Sequence, residues 1–286
     1  MQVQVQVHSS SPDGLHAVEG FPMRSLTAAA LVCLVLGAIL PTSVGALDRF
    51  EIQVYEPDLL EPRQLGLELH SNYTARGERA PAYSGEIPPD RTARFTLEPS
   101  LGVTSWLELG AYAQMLVAPG EGARFGGVKV RAKMVAPGWL PGNFFLGLNV
   151  EVARVPLAVA EEPWASEIRP FVGWRGRWLL VDLNPIIGYA LTGKDSFRPD
   201  FEPALKVSVN TQLGFAVGAE YYAEMGFVDA LTPLRDQAHY LFGVVDLAAP
   251  AGGSEPDWEL NVALGGGVTR AADQAFIVKT IVGRSF

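Results

Sequence analysis

The chain has 286 residues, a formal net charge of −9 and a hydrophobic content of 48%. Because no basic patch and no interleaving of basic with aromatic residues accompanies this acidic balance, nucleic acid is not an expected partner. The single cysteine excludes an internal disulfide framework. Beyond the first 46 residues, no apolar run reaches the ~18 residues of a membrane-spanning helix.

The first 46 residues have the features of a leader rather than of a folded domain. Residues 1–22 combine Gln-Val alternation with a Ser/Pro/Gly mixture, and we interpret them as a non-structural extension from an over-long start-codon assignment. Residues 23–46 form a predicted signal peptide, in which Arg24 precedes an apolar run and small residues lead to cleavage near Ala46. Cys33 lies inside the apolar run and not at its end, so lipidation is not expected.

The rest of the chain alternates apolar with small or polar residues. In the stretch 212–222, QLGFAVGAEYY, one file contains Phe215 and Val217 and the other contains Gly218 and Glu220. A period of two places the files on opposite faces of a β-strand. The same pattern predicts twelve strands, at 64–75, 93–104, 106–116, 124–135, 144–155, 167–175, 178–190, 201–210, 212–222, 239–247, 258–269 and 274–286. Their lengths are close to the ~9–11 residues of a tilted membrane strand.

Connection lengths and aromatic residues favour a membrane barrel. Tight turns at 105, 176–177 and 211 alternate with longer segments at 76–92, 156–166, 191–200 and 223–238, as is typical of short periplasmic turns and long external loops. Aromatic residues fall beside the strand ends, with Trp106, Trp174, Trp178, Trp258 and Phe286 at one end and Tyr73, Tyr189 and Tyr221 at the other. We therefore predict an all-β fold at 64–286, a transmembrane antiparallel up-and-down barrel in the bacterial outer membrane. A soluble barrel or sandwich with its faces reversed is the alternative.

Residues 47–63 precede the predicted barrel. Phe50, Ile52 and Val54 alternate, but Pro57 and Pro62 prevent a long strand. The sequence leaves two options open, a short periplasmic strand or a segment inside the lumen.

Several stretches resemble a known family. The chain ends FIVKTIVGRSF, and Phe286 resembles the terminal aromatic signal that the barrel-assembly machinery recognises, although Arg284 departs from that pattern. FEIQVYEPDLLEPRQLGLELHSNY, FTLEPSLGVTSWLELGAY and FEPALKVSVNTQLGFAVGAEYY resemble the transporter-like barrels of the MetA-pathway phenol-degradation family. This resemblance implies an outer-membrane barrel for the uptake of small molecules, aromatic ones among them, and it implies no catalytic residues.

Residue types typical of hydrolases occur at His70 and Ser71. Consecutive strand residues point to opposite faces, so His70 cannot orient on Ser71 without partners from another strand. His239 has no carboxylate or cysteine cluster near it in the sequence. We therefore expect no catalytic residue, no metal and no cofactor. A lipid-acting barrel enzyme remains an alternative.

Ten residues on the inward file lie at a similar depth, about four to seven residues from one strand end. They are Glu68, His70, Glu98, Lys129, Arg131, Glu151, Arg169, Asp182, Lys206 and Lys279. They predict either charge pairing that fills a narrow lumen or a charged constriction that selects solutes. On the fourth strand, Lys129, Arg131 and Lys133 share one file, which predicts a local excess of positive charge.

Four predicted strands contain a polar residue followed by proline, namely Glu98-Pro99, Arg169-Pro170, Asn184-Pro185 and Glu202-Pro203. These pairs predict either β-bulges that bend the wall inward or an incorrect strand count, because proline removes a ladder hydrogen bond. The expected function is a passive channel for small solutes, and a closed structural barrel with a filled polar lumen is the alternative. The expected partners are the lipid bilayer, the barrel-assembly machinery and small solutes.

Overall fold

A computed structural model describes residues 48–137, 140–247 and 258–286, and within these ranges twelve antiparallel strands form a closed barrel. The barrel strands are β1 (Leu65–Gly77), β2 (Thr92–Thr104), β3 (Leu107–Ala118), β4 (Gly122–Val135), β5 (Phe144–Arg154), β6 (Trp164–Arg175), β7 (Leu179–Ala190), β8 (Pro199–Asn210), β9 (Phe215–Glu224), β12 (Ala238–Leu247), β13 (Trp258–Gly267) and β14 (Gln274–Ser285). Between β9 and β12 lie two short strands, β10 (Gly226–Phe227) and β11 (Ala230–Leu231), and a 3-10 turn, Leu234–Asp236. The predicted leader at 1–46 lies outside the described residues.

The barrel closes where the first and last strands pair. β1 is antiparallel to β14, with Glu68 opposite Gly283, and β9 joins β8 to β12. All twelve predicted strands are present, so the predicted strand count is confirmed. The strand predicted at 212–222 begins instead at Phe215, because Gly214 has a φ of 83° and belongs to the turn. Among the described residues, no helix has the length and apolar character needed to cross a bilayer.

The two files of each strand face different surroundings. Leu69 and Val217 are exposed on the outer face, whereas His70 and Glu220 are buried in the interior. An apolar outer face around an ionised interior is the arrangement that a bilayer requires and the reverse of a soluble barrel. The fold is therefore a transmembrane β-barrel, and the soluble alternative is wrong.

The barrel ends differ in their connections. At one end, called here the turn end, Phe286 exchanges backbone hydrogen bonds with Leu65 and the connections include 105–106, 176–178 and 211–214. At the other, the loop end, the connections include 78–91, 155–163 and 225–237. The β3–β4 connection is an exception, because it covers only 119–121 at the loop end. Trp106, Trp258 and Phe286 are exposed around the turn end.

The proline pairs neither create bulges nor change the strand count, so both predictions from them are wrong. At Pro99, β2 keeps an unbroken register with β1, and its pairing with β3 lapses locally and resumes in the same register. At Pro170, β6 keeps an unbroken register with β5, and its pairing with β7 lapses locally and resumes in the same register. Pro185 and Pro203 face each other across β7 and β8 in continuous register. A missing N–H thus removes a rung of the ladder without inserting a residue.

Residues 48–63 run through the lumen and are called here the internal segment. Near the loop end, Arg49 pairs with Glu86 of the 78–91 connection and with Asp273 between β13 and β14. At the turn end, the backbone N–H of Arg63 donates to the carbonyl of Gly102 at 2.7 Å. The internal segment therefore spans the lumen from one end of the barrel to the other.

Candidate functional site

The ten residues predicted to share one depth all lie on the inner side of the barrel. Nine are buried, namely His70, Glu98, Lys129, Arg131, Glu151, Arg169, Asp182, Lys206 and Lys279, and Glu68 is partly exposed. They form several clusters of ion pairs and hydrogen bonds, and the internal segment connects these clusters. None of the ten predicted residues belongs to the internal segment.

The first cluster surrounds Arg131 on β4. Its Nε donates to Glu98 Oε1 at 2.5 Å and its Nη2 to Glu108 Oε1 at 2.6 Å. Glu98 also lies 3.2 Å from His70 Nε2, and Glu68 lies 3.4 Å from the same nitrogen. The guanidinium is thus shared between two buried carboxylates on neighbouring strands.

The second cluster surrounds Lys129. Its ammonium group pairs with Glu151 of β5 at 3.0 Å, with Glu51 of the internal segment at 3.2 Å, and with Asp48. Together with the two carboxylates on Arg131, these contacts compensate the positive charges of Lys129 and Arg131. The predicted excess of positive charge at these two residues is therefore wrong, because three of the five pairing acids, Glu98, Asp48 and Glu51, are not on the strands adjacent to β4.

Further cations on the walls hold the backbone of the internal segment. Lys279 Nζ donates to the carbonyl of Ile52 at 2.8 Å, Arg169 Nη1 to that of Gln53 at 2.9 Å, and Lys133 Nζ to that of Asp58 at 2.7 Å. Lys279 also pairs with Glu220, and Arg169 with Glu167. Cationic side chains of the wall thus form charge-assisted hydrogen bonds with backbone carbonyls of the internal segment.

Tyr55 is buried against the wall formed by β3 and β5–β7. Its hydroxyl lies 2.6 Å from Glu51, 2.7 Å from the Tyr112 hydroxyl and 3.0 Å from Glu151. Its backbone N–H donates to Asn184 Oδ1 at 2.8 Å, and Asn184 Nδ2 donates to its carbonyl at 3.2 Å. The ring lies 4.5 Å from the Arg169 guanidinium, a cation–π contact. The lumen thus binds a phenol group on every side.

The wall opposite β4 carries a large apolar cluster on its inner face, beside the buried ion pair of Glu220 and Lys279. The buried cluster there consists of Ile186, Ala204, Tyr222, Ala238, Tyr240, Phe242, Val244, Ala263 and Ile277, with Ile52 and Val54 of the internal segment packed into it. This arrangement explains why the sequence of β12 is apolar on both files. One file faces lipid and the other faces the internal segment.

Connections fold inward at the loop end. Phe50 of the internal segment packs with Ile87, Leu116 and Ala118, and the backbone N–H of Ile87 donates to the carbonyl of Ala158 at 3.0 Å. These contacts join the 78–91 and 155–163 connections over the barrel mouth. These two connections and Phe50 therefore narrow the loop end.

The geometry around His70 favours an ion pair over catalysis or metal binding. His70 is buried, whereas Ser71 lies on the other file of β1 and is only partly buried. The possible ligand atoms of Glu68, His70 and Glu98 lie within 4.8 Å of one another. However, the Arg131 guanidinium already binds Glu98, and its positive charge opposes a second cation there. We assign the group to charge pairing inside the lumen.

Comparisons with known proteins agree with this fold. No protein-family model matches the sequence, and no curated protein matches it. The COG4313 outer membrane channel from Pseudomonas putida F1 is similar in structure, with a TM-score of 0.53 and 13% identity over 85% of this chain and 100% of that chain. The KdgM porin matches with a TM-score of 0.50 and 11% identity, covering 77% of this chain and 99% of that chain. The NanC porin has a TM-score of 0.50 and 10% identity over 77% and 98%.

The fold thus defines the class, a twelve-stranded membrane barrel, and the channel and the two porins are similar to it in fold. At 10–13% identity the comparisons establish the fold alone. In this chain the internal segment fills the lumen, with charged and apolar contacts to the two walls.

Proposed function

We propose that this protein is a passive channel for small solutes in the bacterial outer membrane, and that the internal segment closes its lumen. The observation that carries the proposal is the way the segment is held. Residues 48–63 form no regular strand, and most of their contacts with the wall are side-chain hydrogen bonds, ion pairs and apolar packing. The interstrand ladder does not depend on them, so the segment can leave the lumen without opening the barrel wall.

The proposed surroundings follow from the same features. The apolar outer face supports the lipid bilayer as a partner, and the C-terminal Phe286 beside Leu65 supports recognition by the barrel-assembly machinery. The ten buried or partly buried lumen residues, with the internal segment among them, are the proposed constriction.

Aromatic molecules are the proposed solutes. The resemblance to the MetA-pathway phenol-degradation family suggests them, and the surroundings of Tyr55 support them. The lumen already holds a phenol ring, with Tyr112 and Glu151 at its hydroxyl and Arg169 at its face. Because the lumen binds the phenol group of its own Tyr55, it has side chains that can form the same contacts with the phenol group of a free solute.

Planar-bilayer conductance tests the closure. Asn184→Ala removes both backbone hydrogen bonds to Tyr55, which costs about 1–3 kcal/mol in total. The equilibrium between closed and open lumen should shift by about 5- to 150-fold, and the fraction of time spent in conducting states should rise accordingly. Asn210→Ala is the matched control, since the Asn210 amide donates to the carbonyl of Arg177 in the 176–178 connection and not to the internal segment.

The competing function is a closed structural barrel, which the dense ion pairing of the lumen favours. In that case neither the wild type nor Asn184→Ala conducts, although far-UV spectra show a folded barrel. Asn184→Ala should then only lower the free energy of unfolding. That pair of results would refute the channel.

A further inference from the structure

We propose that Arg175 and Lys206 form a carboxylate-binding site for the transported solute, and that Glu56 of the internal segment fills this site while the lumen is closed. The solute class is an aromatic carboxylate. This inference rests on the channel function proposed above and specifies what the channel recognises.

The geometry of the site is that of a bound carboxylate. Glu56 Oε1 accepts from Lys206 Nζ at 2.7 Å, and Glu56 Oε2 accepts from Arg175 Nη2 at 2.8 Å. Each oxygen of one carboxylate therefore has its own cationic donor, supplied by β8 and by β6. Charge-assisted hydrogen bonds of this kind are among the strongest that a site can offer.

The site is open to small anions. The side chains of Glu56 and Arg175 are 26% and 36% exposed, in contrast to the buried clusters farther into the lumen. Arg175 ends β6 and therefore lies at the turn end, next to the solvent. A solute carboxylate can reach the guanidinium there when Glu56 moves away.

The charge balance favours an anion once the internal segment leaves. Within the described part of the chain, the carboxylates paired with Arg175 are Glu56 and Asp58, and both belong to the segment. Lys206 keeps two acidic partners after Glu56 departs, Asp246 at 2.8 Å and Glu220 at 3.8 Å. The departure removes both carboxylates that pair directly with Arg175, and a solute carboxylate restores that pairing.

The surroundings of the site specify the rest of the solute. Tyr55 precedes Glu56 in the chain, and its ring packs against the Arg169 guanidinium at 4.5 Å. Val54 lies in the apolar cluster with Tyr222 and Phe242. The internal segment therefore fills the lumen with an aromatic ring, an apolar surface and a carboxylate in consecutive residues. Leu180 lies opposite Arg175 in the β6–β7 ladder and packs with Tyr55, Phe145 and Phe171, so the ring of a solute whose carboxylate binds Arg175 can contact this apolar cluster.

Closure and solute binding are then mutually exclusive, with Glu56 acting as a tethered competitor. Glu56→Gln weakens the competitor and leaves the site intact, so it should strengthen solute binding. Arg175→Gln damages the site itself and should weaken solute binding. If the ion pair were merely structural, both substitutions would loosen the same contact and would change solute binding in the same direction.

The experiment uses the refolded full-length barrel in planar bilayers, with benzoate as the probe and chloride as the current carrier. Benzyl alcohol controls for the ring without the charge, and acetate controls for the carboxylate without the ring. We expect benzoate to reduce the chloride current at a concentration about tenfold below that needed for either control. Benzyl alcohol loses the charged hydrogen bonds, which costs about a factor of ten or more, and acetate loses the burial of the ring. Glu56→Gln should lower the half-blocking benzoate concentration about tenfold, and Arg175→Gln should raise it about tenfold.

Matched variants separate the site from general effects. Arg177→Gln makes the same charge change in the adjacent connection, where the guanidinium contacts Trp178 at 4.8 Å, and it should leave benzoate block unchanged. Lys206→Met tests the second donor and should act like Arg175→Gln. Heat-modifiable migration on gels confirms that each variant is folded. If Lys206→Met does not fold, Arg175→Gln still provides the test, because the Arg175 side chain is partly exposed.

The outcomes distinguish the two proposals. If neither the wild type nor Asn184→Ala conducts, the channel function is wrong and this inference is wrong with it. If the protein conducts but benzoate blocks no better than benzyl alcohol, or Glu56→Gln and Arg175→Gln shift the block in the same direction, the inference is wrong while the channel stands. Equal block by acetate and benzoate would overturn the aromatic part of the solute.

Discussion

Lys129 is the residue whose replacement tests the closed lumen most directly. Its ammonium group lies between one carboxylate of the wall, Glu151, and two of the internal segment, Asp48 and Glu51. Lys129→Gln removes the positive charge and leaves three acids facing one another in a buried site. Two of the three belong to a segment that can move, so the repulsion should drive the segment out of the lumen.

The magnitude follows from burial. The Lys129 side chain is 7% exposed, and Glu51 and Glu151 are 1% and 3% exposed, so solvent screens these pairs little. Removing one partner of such a buried pair costs about 3–5 kcal/mol. At about 1.4 kcal/mol per factor of ten, the ratio of open to closed lumen should rise by about a hundred- to several-thousand-fold.

The assay is single-channel recording of Lys129→Gln against wild type, with Lys194→Gln as the control for loss of a lysine on an exposed connection. Lys129→Gln should conduct for most of the recording, whereas Lys194→Gln should behave as wild type. Urea unfolding in detergent provides a second measurement of the same perturbation. The reasoning is refuted if Lys129→Gln changes neither the open fraction nor the free energy of unfolding, because no buried ion cluster could then exist at this position.

Three further predictions use other parts of the barrel. A fluorescent label at residue 217 should be quenched by brominated lipid, and a label at residue 220 should not, since Val217 is 42% exposed and Glu220 is 2% exposed. The opposite result would show that the face assigned to the lumen is the one in contact with lipid. Ser71→Ala should leave any measured lipid hydrolysis unchanged, because Ser71 and His70 lie on different files of β1, and a clean loss of activity would revive the enzyme alternative. In an open variant under a KCl gradient, Arg131→Gln should shift the reversal potential toward cation preference, and Glu151→Gln should shift it toward anion preference. The reason is that an uncompensated charge acts strongly on ions in a narrow lumen. Identical shifts in the two variants would show that these charges do not line the ion path.

The strands could be predicted from sequence because the information that defines them is local. A membrane strand needs an apolar file toward lipid and a different file inward, and this requirement repeats every second residue. β3 and β5 alternate so regularly that their bounds differ from the predicted ones by at most two residues. Prolines misled the prediction because a missing hydrogen bond and an inserted residue look the same in a sequence.

The internal segment could not be placed from sequence because its partners are distant in the chain. Asp48 and Lys129 are 81 positions apart, and Arg49 and Asp273 are 224 apart. Pro57 and Pro62 indicated only that a long strand could not form. A usable signal was nevertheless present at 239–247, where both files are apolar. An apolar inner file in a polar lumen requires an apolar partner, and the alternating Ile52 and Val54 are the residues that supply it.

The same complementarity limits how tightly the lumen can close. The internal segment joins acidic residues to apolar ones, so that Glu56 meets cations while Val54 meets the apolar wall. A solute that binds this lumen well needs an acidic group and an apolar group, as the internal segment has. Each contact that stabilises the closed lumen is therefore also available to a bound solute. A ligand shifts such an equilibrium only by its differential affinity for the open state. The free energy of closure therefore sets how strongly the internal segment competes with the solute, and a variant with a looser segment should spend more time conducting and should be blocked by aromatic carboxylates at lower concentration.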